Sequence, residues 1–119
     1  MTQQLFKSVM EQDTAPVVIC DLESVVRYMN PAAVRRYGRD LTGQNVQSCH
    51  PPAANEKIHR VLEWFAQSQE HNRVYTFRND RENKDVYMIA LRNDHGELIG
   101  YYEKHEYRTA ETASLYEMP

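Results

Sequence analysis

The stretch Val26-Arg27-Tyr28-Met29-Asn30-Pro31-Ala32-Ala33 brings two kinds of structure together in a few residues. Its first half suits a strand. Its second half has the makings of a helix start, with Asn30 as an N-cap that accepts a backbone N–H and Pro31 at the first helical position, where no N–H is missed. That helix is predicted to run to about Tyr37 and to stop at Gly38. Upstream, Pro16 to Asp21 is β-branched and apolar, and the polar Asp21-Leu22-Glu23-Ser24 suits a hairpin turn between two antiparallel strands. Earlier still, Leu5, Phe6, Val9 and Met10 fall at helical spacing, which predicts a short amphipathic helix over Thr2 to Gln12 that ends before Pro16.

Downstream, Arg39 to Pro52 breaks into short pieces and reads as a loop-rich crossing. Pro52 then opens a long helix ending near Gln69. Ala54, Ile58, Val61, Leu62 and Phe65 form its apolar stripe, and Glu56, Lys57, Arg60, Glu63 and Gln67 lie on the other side. Arg73 to Asn79, Asp85 to Arg92 and Glu97 to Arg108 are rich in Tyr, Val, Ile and Phe and are separated by turn chemistry such as Asn93-Asp94-His95-Gly96, so they read as three antiparallel strands. The expected fold class is α+β, a five-stranded antiparallel sheet with helices on one face. Residues 1–12 form the N-terminal helix, 13–108 the domain proper and 109–119 a weakly patterned tail. The middle of the three strands is apolar at both parities, Val86, Met88 and Ala90 on one face and Tyr87, Ile89 and Leu91 on the other. The uncovered face of the sheet therefore needs a partner: the N-terminal helix alone, or that helix together with a second chain. A homodimer through Leu5, Phe6, Val9 and Met10 is the expectation.

At 119 residues, 41% hydrophobic and 26% charged, the chain has the size and composition of one globular domain. No apolar run approaches the roughly 20 residues of a membrane helix, and no basic region leads into an apolar one at the N-terminus. A cytoplasmic protein with no membrane partner is expected. Seventeen acidic and 14 basic residues are scattered along the chain, giving a net charge of −3, so no basic face exists for nucleic acid. Cys20 and Cys49 are read as reduced thiols. No nucleophile–base signature or paired carboxylates stand out, so an enzyme is not expected.

The order and spacing of these pieces resemble a PAS domain, the small sensory module of bacterial signalling proteins, over roughly Leu5 to Arg108. Val18-Ile19-Cys20-Asp21 followed by Val26 to Ala33 is similar to the family's first hairpin and its Asn-capped helix. Tyr37-Gly38 with Leu41-Thr42-Gly43-Gln44 resembles the segment that follows, and Asp94-His95-Gly96-Glu97-Leu98-Ile99-Gly100 the last hairpin turn. Cys49-His50-Pro51-Pro52 resembles a subset of PAS modules in bacterial proteins that also carry hemerythrin-like domains. The first turn departs from the pattern, with Leu22-Glu23-Ser24 where the family usually has a Gly. The resemblance implies a pocket between the long helix and the sheet and frequent dimerisation through the N-terminal helix. It fixes no ligand, since members hold heme, flavin, small carboxylates, fatty acids or nothing.

On that basis the candidate pocket residues are Ile58, Val61, Leu62 and Phe65 from the helix and Val86, Met88 and Ala90 from the sheet, around an unidentified small molecule. A covalent flavin photoadduct is not expected: flavin photosensors place a reactive Cys directly after an Asn in the crossing segment, and here Gly43-Gln44-Asn45 is followed by Val46. Non-covalent flavin stays open. For heme, His59 lies on the long helix, but about 110° from the centre of its apolar stripe, toward flank or solvent. His50 is better placed if its loop folds inward, with Cys49 beside it as a thiolate ligand. Glu56, His59 and Glu63 share a face, but a carboxylate-bridged di-iron site needs a second Glu-x-x-His motif, so this reads as a solvated face salt-linked to Lys57 and Arg60. Tyr75, Tyr87, Tyr101, Tyr102 and Tyr107 on the last strands are expected mostly at the sheet surface, with one or two reaching the pocket. About 104 residues of sensor leave no room for an output domain, so action through a separate partner protein or through the chain's own dimer is expected.

Overall fold

In a computed structural model the chain is described over residues 1–118, the side chain of Cys49 apart. Asn30 is fully buried, and its side chain gathers backbone from three separate stretches. Its Oδ1 accepts from the Val17 and Ala33 N–H groups, each at 2.9 Å. Its Nδ2 donates to the carbonyls of Met10 at 2.9 Å and Ala15 at 3.0 Å, with Asp13 at a longer 3.4 Å. One side chain thus caps helix α2 (Pro31–Tyr37), holds the start of strand β1 (Val18–Asp21) and ties down the chain leaving helix α1 (Thr2–Gln12). Gly38, at φ +78°, ends α2 in the left-handed conformation.

β1 pairs antiparallel with β2 (Val26–Met29) across the predicted turn. Ser24 takes the left-handed φ of 64° that a Gly usually supplies. Asp21 Oδ1 accepts from the N–H groups of Glu23 and Val25, and the buried Ser24 hydroxyl lies 2.8 Å from the Tyr101 hydroxyl. Those bonds hold a conformation in which a Cβ is strained. After a short 3-10 turn (Val46–Cys49), helix α3 (Pro52–Gln67) leads to β3 (Arg73–Asn79), β4 (Lys84–Arg92) and β5 (Leu98–Tyr107). The sheet order is β2-β1-β5-β4-β3, antiparallel throughout, which places the first and last parts of the chain side by side. β1 and β5 approach so closely at Gly100 that a Cβ there would collide with the Cys20 carbonyl oxygen.

The core lies between one face of this sheet and the helices. Cys20, Val26, Met29, Ala33, Phe65, Met88 and Tyr101 are its buried centre, with Ile58, Val61 and Leu62 of α3 packed against it. α3 has no basic residue in its last turn. Arg92 supplies the missing charge from β4: its Nη2 donates to the carbonyls of Phe65, Ser68 and His71 at 2.8–3.1 Å, and its Nε to Asn72 Oδ1 at 2.8 Å.

The opposite face of the sheet carries half-buried Ile19, Tyr87, Ile89, Leu91 and Tyr102. Coverage by α1 alone is not what the single chain shows. α1 buries no residue, and Leu5, Phe6 and Val9 are each more than half exposed, because Asn30 fixes only the end of the helix and nothing packs against its apolar stripe.

Replacing Asn30 by Ala removes the cap and leaves the buried N–H groups of Val17 and Ala33 and the half-buried carbonyls of Met10 and Ala15 without this partner. Asn30→Ala is expected to lower the unfolding free energy by roughly 3 kcal/mol in urea titration, and a loss below about 1 kcal/mol would show that Asn30 is not the junction described.

Candidate functional site

The β4–β5 register decides which side chains enter the space under α3. Lys84 faces Tyr107, Val86 faces His105, Met88 faces Glu103 and Ala90 faces Tyr101. Side chains of a strand alternate between faces, so Glu103 and His105 share the inner parity with buried Tyr101, and Lys84 shares it with buried Val86 and Met88. Three ionisable groups therefore stand where apolar packing is the rule, and Lys84 is only 1% exposed.

These groups border a chamber of 420 Å³. Ala54, Ile58 and Val61 of α3 and Val86, Met88 and Phe77 of the sheet form its apolar wall. Arg36 and Tyr37 of α2, His50, Lys57, Lys84, Glu103 and His105 form its polar one. A second chamber of 330 Å³ adjoins it, lined by Val18, Cys20, Leu41, Val46 and Tyr101 and sharing Tyr37, His50, Ile58 and Glu103 with the first.

The electrostatics follow from this burial. Removal from water pushes the Glu103 carboxyl above the usual carboxylate range, opposed by the charges of His50, Lys84 and Arg36. Burial holds the His105 imidazole down at about 4, helped by the positive charges of Lys84 and Arg36. Among the described residues neither His105 Nδ1 nor Glu103 has a hydrogen-bond partner. Glu82, outside the chamber, is brought down to about 2, first by the hydrogen bond from Arg36; its Oε1 also accepts from Lys84 Nζ at 3.4 Å. The Cys20 thiol is pushed up to about 11 by burial, so it is a packing group and not a reactive thiolate.

Of the candidate pocket residues, Ile58, Val61, Val86 and Met88 lie on the chamber wall. Leu62, Phe65 and Ala90 do not: Phe65 is fully buried in the core, and Leu62 and Ala90 pack against that core. His50 borders both chambers. His59 points to solvent, 69% exposed, with Glu63 at 3.2 Å, as its helical angle implies. The Cys49 side chain lies outside the described residues. Among the described residues no three His, Cys, Asp or Glu side chains converge as a metal site. Of the five tyrosines, Tyr101 reaches a chamber, while Tyr75 and Tyr107 are exposed. Sequence reasoning missed Lys84, Glu103, His105, Arg36 and Tyr37. Strand parity was the available signal for Glu103 and His105, two and four residues from Tyr101; Lys84 lies just before the strand predicted from Asp85, and the structure starts that strand at Lys84.

A family model described as PAS domain matches residues 14–103, and the chain belongs to the PAS domain family, whose members occur in signalling proteins. No curated protein matches the sequence. Among solved structures, the C-terminal domain of a Streptococcus mutans protein is similar at TM-score 0.65 and 25% identity, over 87% of this chain and 83% of that one. The PAS domain of BvgS from Bordetella pertussis is similar at 0.62 and 18%, over 92% and 88%. The Aer2 receptor from Vibrio cholerae, titled a dual PAS-heme oxygen sensor, is similar at 0.53 and 19%, over 79% and 94%. No helix among the described residues is long and apolar enough to cross a membrane.

The low His105 value sets a pH dependence. The unfolded imidazole, near 6.5, binds a proton that the folded one refuses until about 4, so stability is full above the unfolded value and falls as pH drops through this window. His105→Gln should flatten that fall by roughly 1–2 kcal/mol, partial exposure screening the rest. Urea midpoints of both proteins across the window read it, and parallel curves would place His105 in a solvated setting.

Proposed function

We propose that the chain is a non-catalytic sensory module that binds a small molecule in the two chambers under α3 and signals through a homodimer or a separate partner protein. The observation that carries this reading is the chamber's polar wall. Burying Lys84 and half-burying Glu103 and His105 costs stability, and among the described residues neither Glu103 nor His105 Nδ1 recovers any of it through a hydrogen bond. A chamber of this size, mostly apolar with a few convergent polar groups, has the character of a ligand site. Transmission requires that the ligand favour one packing arrangement over another.

The dimer is proposed on the exposed stripe of Leu5, Phe6 and Val9, with Met10 beside it, together with the open face of the sheet. His50, on the wall common to both chambers, supports a second reading as a heme ligand, and one structural neighbour is titled a PAS-heme sensor.

Native mass spectrometry before and after denaturation should reveal a co-purifying small molecule or, failing that, a mass increment when metabolite mixtures are added. A clean apo spectrum under both conditions would overturn the ligand reading and leave a structural dimerisation domain. Light scattering at tens of micromolar is expected to give a dimer that Phe6→Glu converts to monomer; a wild-type monomer would overturn the dimer. Hemin titration separates the second reading, which requires a Soret band lost in His50→Ala.

A further inference from the structure

Three cations, Arg36, Lys57 and Lys84, stand on the wall of the larger chamber against one carboxyl, Glu103. Arg36 and Lys84 both turn to the same oxygen of Glu82. Among the described residues the 1%-exposed Lys84 ammonium has one hydrogen-bond acceptor, that oxygen at 3.4 Å, and otherwise the face of the Tyr107 ring at 5.4 Å. A buried cation so poorly matched gains from an anion brought to it. Ile58 and Val61 of α3, with Val86 and Met88 beside Lys84 on β4, offer only apolar contact, so inorganic phosphate would leave most of the chamber unfilled. Glu103 is the obstacle: two ionised carboxylates in one poorly solvated chamber repel unless a proton lies between them.

Building on the ligand-sensing reading above, the geometry points to a small organic carboxylate as the ligand, its apolar body against Ile58 and Val61, its charge met by Lys84, and one proton taken up with it at Glu103. Burial already raises the Glu103 carboxyl, which favours that protonation. The groups facing Glu103 are Arg36 and Tyr37 from α2, His50 from the crossing loop, Lys57 from α3, Lys84 from β4, Cys20 from β1, and Tyr101 and His105 from its own strand, with Glu82 behind Arg36 and Lys84. His50 borders both chambers beside Glu103, so it has its own control.

Calorimetric titration of the full chain with benzoate, phenylacetate and hexanoate, each against its primary amide and against inorganic phosphate, tests this in two buffers of different ionisation enthalpy. The acids are expected to bind at least about tenfold tighter than their amides, to tighten by up to about tenfold per unit as pH falls from about 8 to about 6, and to take up a proton. Glu103→Gln should retain acid binding and lose the pH slope, while His50→Gln keeps it. Lys84→Met should weaken the acids at least about tenfold and spare the amides; Lys84→Gln serves if the methionine variant does not fold. Equal affinity for acids and amides would overturn the inference and leave the ligand site standing, as would phosphate competing equally or acid binding without proton uptake. No binding of any probe, with a different molecule found by native mass spectrometry, would overturn it alone; no binding and a clean apo spectrum would overturn both.

Discussion

The side-chain amide of Asn30 is the point from which the domain is hung. Its oxygen and nitrogen are saturated by backbone groups before, within and after the first hairpin. An amide can do this because it offers acceptor and donor on one rigid plane; an aspartate has no donors for the Met10 and Ala15 carbonyls. Since the last residues of α1 and the first of β1 share this amide, displacement of either is felt at the cap of α2. α2 in turn carries Arg36 and Tyr37 to the chamber. The site and the exposed helix are thus linked through a few directional bonds, backed by the Tyr28 hydroxyl, which donates to Glu11 of α1.

A second constraint keeps the chamber from closing evenly. Arg92 ties the C-terminal end of α3 to β4 through three carbonyls, while the N-terminal end, entered through Pro51 and Pro52, has no side-chain cap. Phe65 is consequently sealed into the core at one end of the helix, and Ala54 and Ile58 border open space at the other. Polar groups on β4 and β5 occupy that open end. There α3 is tied to the crossing loop by Asn55 Nδ2, which donates to the Gln47 carbonyl at 2.9 Å.

The fold was legible because its punctuation is chemical. Asn30-Pro31 with Gly38, the Asp21 turn and the apolar stripe of α3 each dictate local geometry, and the predicted bounds of α1 and β3 coincide with those observed. The site was less legible. The stripe of α3 shows which side faces the sheet but not where packing stops: Phe65 is sealed in the core and Leu62 and Ala90 pack against it, while Ile58 and Val61 border the chamber. Glu103 and His105 read as ordinary polar strand residues, and Lys84 falls just before the strand predicted from Asp85, which in the structure begins at Lys84. Only the β4–β5 register turns all three inward, and a one-residue slip would have turned them out. Ser24 stood in a turn where glycine was expected, and its fitness depends on Tyr101, far away in sequence.

The linkage between chamber and α1 is the claim on which a sensory role rests, and amide hydrogen exchange with and without saturating phenylacetate addresses it directly. Occupancy should slow exchange in β4 and β5 around Met88 and Glu103 and also change it at the Val17 and Ala33 amides bonded to Asn30, and along the end of α1. Slowing confined to the chamber strands, with Val17, Ala33 and α1 unchanged, would contradict transmission through Asn30.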